Sequence, residues 1–202
     1  MTPIRRLLLP LLLLALASCT TYSAINTGDR HEMGDGMSVQ VIGEWSAINA
    51  AAVGLRDADA MWTVDGLSLN RLVFYGGLED GEHFVSTGQE DQDRTRPVFR
   101  STMSETAVME LVEASFAKSR GVVRAEASRL RPHPFLGRNG FAFEVDLINS
   151  EQVELRTHVT GAVVGGKLYL IYFAAPKLHF FDKDSATVNA IINSARLVAT
   201  DA

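Results

Sequence analysis

Lys167-Leu-Tyr-Leu-Ile-Tyr-Phe-Ala-Ala-Pro176 is apolar at every position between its charged first residue and its closing proline. A strand with one face in water alternates polar and apolar residues, and a strand covered on both faces does not. The run is short and rich in aromatics, so it reads as a central strand with cover on both sides. Gly165-Gly166 stands directly before it and makes a tight hairpin, and Pro176 ends the strand.

Working outward, the two segments upstream alternate. In residues 153–159, Arg156 and His158 fall on the polar face. In residues 141–147, Phe141, Phe143, Val145 and Leu147 point inward while Glu144 and Asp146 point out. Asn149-Ser150-Glu151 turns the chain between them. Residues 122–130 form another strand; Pro132 and Pro134 are expected to break its ladder, and residues 134–140 to turn. Downstream, a last helix is expected to begin near Asp184 or Ser185, with Val188, Ile191, Ile192 and Ala195 at helical spacing. A second helix follows Thr102-Met-Ser-Glu105, which has capping-box spacing; Val108, Leu111, Val112 and Phe116 share its apolar face, and Gly121 fits its stop.

The N-terminal half is less regular. Residues 37–42 alternate and should be the first strand, and residues 47–59 read as a short helix or an irregular cover. Residues 62–69 read as two strands joined by a two-residue Asp65-Gly66 turn, the second continuing to Tyr75 and ending at Gly76-Gly77. Residues 79–96 read as a charged, solvated loop. Asp91-Gln-Asp93 begins like a calcium loop there but lacks the glycine and glutamate that complete one. Residues 20–36 are polar and aperiodic, so residues 19–36 read as a flexible tether before a single domain over 37–200.

The C-terminal third resembles the PsbP-like families, which include DcrB-type envelope lipoproteins. The resemblance covers residues 139–198: the Gly140-Phe141-Ala-Phe143 strand and its return, the central strand, a Phe-Phe-Asp loop, and a helix ending Ile191-Ile192-Asn-Ser194-Ala-Arg196. It implies an α+β fold, an antiparallel β-sheet flanked by helices in an α/β/α sandwich. It also implies a non-enzymatic accessory, binding or assembly role, with no catalytic residues to carry over.

The first 18 residues carry a different signal. Arg5-Arg6, a short apolar run from Leu7, and Leu16-Ala17-Ser18-Cys19 resemble a bacterial lipoprotein signal peptide with its lipobox. The resemblance implies cleavage between Ser18 and Cys19, diacylglycerol on the Cys19 thiol and acylation of the new amine. The run is about half the ~20 residues needed to span a bilayer. Residue 20 is Thr, not the Asp of the inner-membrane retention signal, which favours the periplasmic face of the outer membrane.

Composition narrows the function. The whole chain has a formal charge of −5, and Arg5 and Arg6 leave with the signal, which takes the mature chain to −7. An acidic chain without a basic block does not suit nucleic acid. Cys19 is the only cysteine, so disulfides and cysteine-based metal sites are excluded once it is lipidated. No Gly-x-Ser-x-Gly elbow, His-x-x-x-His spacing or phosphate loop occurs, so neither a metal nor a cofactor is expected. Three sets of residues remain. Arg129, Arg131 and His133, within the basic stretch 124–138, share a strand and could hold an anion. Phe180 and Phe181 either cap the core or form a contact patch. A hydrolase would require His133 or His158 to meet an acid and a hydroxyl in a pocket. The leading expectation is a non-enzymatic, lipid-anchored envelope protein that contacts an envelope partner, with anion binding as the alternative and hydrolysis as the remote one.

Overall fold

In the computed structural model, residues 22–34, 36–53, 55, 57–85 and 96–198 are described. The signal segment with Ser18 and Cys19, and the acids Asp91 and Asp93, lie outside them.

The alternation and the central apolar run assemble as expected. The strands are β1 (Tyr22–Ile25), β2 (Arg30–Met33), β3 (Met37–Gln40), β4 (Trp45–Ile48), β5 (Ala60–Thr63), β6 (Arg71–Leu78), β7 (Val122–Phe135), β8 (Arg138–Asn149), β9 (Glu154–Val164), β10 (Lys167–Pro176) and β11 (Arg196–Leu197). The helices are α1 (Glu105–Ala117) and α2 (Phe180–Asn193). Eight strands make one sheet in the order β1-β4-β5-β6-β10-β9-β8-β7, and β11-β3-β2 make a small second sheet. Every pairing is antiparallel. The protein is an α+β sandwich of three layers: α1, the large sheet, and then α2 with the small sheet.

β10 lies between β6 and β9, and its two faces feed two cores. Leu168, Leu170, Tyr172 and Ala174 pack toward Val108, Leu111, Val112 and Phe116 of α1. Tyr169, Ile171, Phe173 and Ala175 pack toward Val188, Ile191 and Ile192 of α2 and Met33, Met37 and Val39 of the small sheet. The β9–β10 hairpin closes on Gly165 and Gly166, at φ 58° and 82°, which only a primed two-residue turn requires.

Several expectations need correction. The supposed tether contains two strands: β1 adds to the edge of the large sheet against β4, and β2 pairs with β3. The polar composition that suggested a tether belongs to strands with one exposed face; only Met33 is fully buried. Gly76 does not end β6 but lies within it. The Met33 carbonyl presses against the place where a Cβ would stand, so glycine here permits the two sheets to touch.

The Asp65-Gly66 turn is not a two-residue hairpin. β5 and β6 do pair, but residues 64–70 connect them, organised by Asn70. Asn70 Oδ1 accepts hydrogen bonds from the Val64 and Asp65 amides and the Thr63 hydroxyl, at 2.9, 3.3 and 2.7 Å. Its Nδ2 donates to Asp65 and Asp184, at 2.8 and 2.9 Å, which ties the loop to α2.

Pro132 and Pro134 do not break β7, which pairs with β8 as far as Phe135↔Arg138. β7 is the edge strand, where a missing amide costs nothing on the solvent side. The turn is the two residues Leu136-Gly137, at φ 55° and 68°. Residues 47–59 hold the end of β4 and a short 3₁₀ turn, Ala50–Val53. The cap of α1 is Ser104, whose Oγ accepts from the Ala107 amide at 3.2 Å, not Thr102. α2 begins at Phe180, a full turn early. His179 at φ 72° turns the chain sharply, and Phe180 and Phe181 pack back onto the core, so burial starts the helix without a side-chain cap.

Candidate functional site

Glu144 stands opposite His158 in the β8–β9 register, and both point to the α2 side of the sheet, as Asp146 and Arg156 do one step along. The alternation that sends Phe143 and Val145 into one core therefore sends charge into the other layer. These side chains are not solvated singly. Arg129 Nη1 donates to Glu144 Oε2 at 2.8 Å, Arg156 Nε lies 3.3 Å from Glu144 and 3.0 Å from Asp146, and Lys177 Nζ lies 2.8 Å from Asp146. Against the cost of its partial burial, the hydrogen bonds from Arg156 and Lys177 hold the Asp146 carboxyl below the usual carboxylate range.

Where this network ends, a cavity of about 210 Å³ opens between the sheet and α2. Arg131, Glu144 and His158 form its polar side, Phe173, Phe181 and Val188 its apolar floor, and Ser185 and Asn189 its helix wall. A bulge aims Arg131 into it. The β7–β8 register shifts between Ser128 and Arg131, with Arg129 at φ 60°, so Arg131 pairs opposite Ala142 and faces α2. Burial, and then the Arg131 charge, push the His158 imidazole down to about 4, and the same two causes lower His133. His158 is therefore neutral at physiological pH.

The expected anion set is thus divided. Arg129 is taken by Glu144. Arg131 makes no hydrogen bond or ion pair among the described residues, and His133 sits beside it on the edge strand. Arg124 pairs with Glu126 on the surface. The sequence did not single out His158 and Asn189 as companions of Arg131; His158 was legible as a polar-face residue and as a catalytic candidate, and Asn189 lies on a helix whose apolar stripe alone was visible.

The cavity also holds the residue types of a hydrolytic triad without its bonds. Ser185 Oγ donates to the Phe181 carbonyl at 2.6 Å, not to an imidazole. His158 Nε2 meets the Thr160 hydroxyl at 3.2 Å, and Thr160 is wholly buried. Glu144 is engaged by two arginines. Among the described residues no group of three or more His, Cys, Asp or Glu is placed to hold a metal ion.

The two phenylalanines are packed, not free. Phe181 lies between the Phe173 ring at 5.7 Å and the Arg156 guanidinium at 5.8 Å, and Phe180 between His179 at 5.1 Å and Lys183 at 6.0 Å. Leu178, just before them, is 86% exposed on the bend that His179 makes. A larger groove of about 1060 Å³ lies where the two sheets meet, walled by Gly34, Gly36, Gly76, Gly77, Lys167 and Tyr169 among others. Its glycines serve the contact between sheets: a Cβ at Gly36 would stand 2.6 Å from the Gly76 carbonyl and 2.7 Å from the Tyr169 hydroxyl.

No family model matches the sequence, and no curated protein matches it. Among solved structures, the chain is similar to the solution structure of cyanobacterial PsbP (CyanoP) from Synechocystis sp. PCC 6803, with a TM-score of 0.52 at 12% identity over 90% of this chain and 95% of that one. A likeness at that identity shows the fold: this is a PsbP-like α+β domain.

Proposed function

We propose that this chain is a non-enzymatic envelope lipoprotein, anchored by lipid on Cys19 to the periplasmic face of the outer membrane, and that its domain acts by contacting an envelope partner. The observation that carries the contact role is Leu178. A large aliphatic side chain is held 86% exposed on a bend set by His179 at φ 72°, with Phe180 and Phe181 anchoring the turn behind it. The bend fixes the direction of this apolar group, which has no packing role of its own and is accessible to a partner. The lipobox supplies the anchor, since more than one acyl chain gives stable attachment. The PsbP-like fold is compatible with an accessory module but does not by itself assign one.

The anchor is tested by fractionation. Cys19→Ser should leave the domain folded, with an unchanged circular dichroism spectrum, and move it from the membrane to the soluble periplasm. The variant remaining in the outer-membrane fraction would remove the lipid anchor from this account.

A further inference from the structure

Among the described residues, Arg131 is a guanidinium without a hydrogen-bond or ion-pair partner at the mouth of the cavity, and the arginines next to that cavity are already neutralised. Arg129 and Arg156 share Glu144, and Arg156 also holds Asp146. The acid nearest the cavity is therefore occupied, and the unbalanced charge is that of Arg131. The neutral His158 ring uses Nε2 toward Thr160, and its Nδ1 has no partner among the described residues. The Asn189 amide on the facing helix wall likewise makes no hydrogen bond there. Opposite these three polar groups the floor is hydrocarbon: Phe173 and Val188 are each 1% exposed, and the Phe181 ring closes one side.

We propose that this cavity binds a small organic carboxylate with an apolar body, its carboxylate held by Arg131 with His158 and Asn189, its body against Phe173, Phe181 and Val188. The planar fork of arginine matches a carboxylate in two-point contact. An apolar floor with a few convergent polar groups is the general form of a ligand site. The volume limits the ligand. About 210 Å³ is below the ~300–1,000 Å³ of sites for drug-sized molecules, so a short aliphatic or single-ring acid fits and a lipid chain does not. The proposal does not rest on the lipid anchor or on a contact through Leu178, which does not line the cavity.

The full-length chain in detergent micelles is titrated with benzoate, acetate and inorganic phosphate, read by calorimetry and by the imidazole NMR signals of His158 and His133. Benzoate should bind saturably and shift the His158 signal, with acetate and phosphate weaker. Arg131→Ala should weaken benzoate by at least about tenfold, the scale of one lost charge-assisted hydrogen-bond partner, with no change in melting temperature. Arg131→Lys, which keeps the charge and loses the fork, should recover only part of that affinity. Phe181→Leu should weaken benzoate and leave acetate unchanged. No saturable shift with any of the three probes, or undiminished benzoate binding in Arg131→Ala, overturns the site. Phosphate binding as tight as benzoate overturns the carboxylate assignment.

Discussion

The two faces of the large sheet are built from the same strands and differ in what they exclude. On the α1 side, Phe141, Phe143, Val145, Leu147 and Val159 meet α1 in a nearly continuous apolar layer. Polar exceptions exist there: Arg71 hydrogen-bonds the buried Tyr172 hydroxyl, and Arg71 Nε, Tyr75 Oη and Thr157 Oγ1 are buried without partners. On the α2 side the β10 end is apolar, but β8 and β9 present Glu144, Asp146, Arg156 and His158, so the helix covers charge it cannot fully bury. A face filled with hydrocarbon has one arrangement and supplies stability. A face where charges meet an apolar floor leaves a cavity and a choice of partners.

Adjacent residues on one strand test that division most strongly. Phe143→Ala should lower stability by about 3–5 kcal/mol, the usual cost of emptying a buried aromatic site. Its neighbour Glu144→Gln, on the other face, should cost only about 1 kcal/mol, because both arginine partners are part exposed and Arg156 keeps its bond to Asp146. Urea denaturation of both variants measures the difference; equal losses would mean that the two faces are not divided in this way.

The next effect is acid sensitivity. His158 titrates near 4 in the folded chain and near its ordinary 6.5 when unfolded. Between those values the unfolded state binds more protons, so stability falls as pH drops from 6.5 to 4, by roughly 3 kcal/mol from this residue. His133 is lowered too and acts in the same direction. Asp146 is lowered, so its contribution is lost only as pH falls below its ordinary 3.8, beneath this window. Thermal melts across the range should show most of the slope gone in His158→Gln. A slope untouched by that change would place the acid sensitivity elsewhere.

A smaller effect separates the α2 helix from its loop. Asn70→Ala should cost roughly 2–3 kcal/mol by orphaning the Val64 and Asp65 amides and the Asp184 carboxylate. Hydrogen exchange should rise first at Val64 and Asp65. Asn70→Asp should restore the amide contacts and repel Asp184, giving an intermediate stability.

What could be read beforehand follows the same division. Strands β8 and β9 and the stripe of α1 were legible because their burial is periodic and local in the chain, and β10 because its apolar run is unbroken. The start of α2 was not, because Phe180 and Phe181 are helical through packing onto Phe173 and not through a cap. β1 and β2 were hidden because each is four residues long and mostly exposed, so no periodicity marks them. Arg129, Arg131 and His133 were expected to act together on an anion. Nothing local announces the bulge that gives Arg129 to Glu144 and leaves Arg131 at the cavity. The cavity itself is a product of four strands and a helix far apart in sequence; Arg131, His158 and Phe181 were each visible as candidates, but not as neighbours.

The central claim is that the α2 side, at the bend bearing Leu178, is the face that meets a partner while the α1 side does not. Photo-crosslinking in the native envelope tests it directly. A crosslinking amino acid placed at Leu178 should yield one discrete product that disappears with Cys19→Ser, while the same group at Glu110 on the exposed side of α1 yields none. Equal crosslinking from both positions, or a product at Glu110 alone, would contradict it.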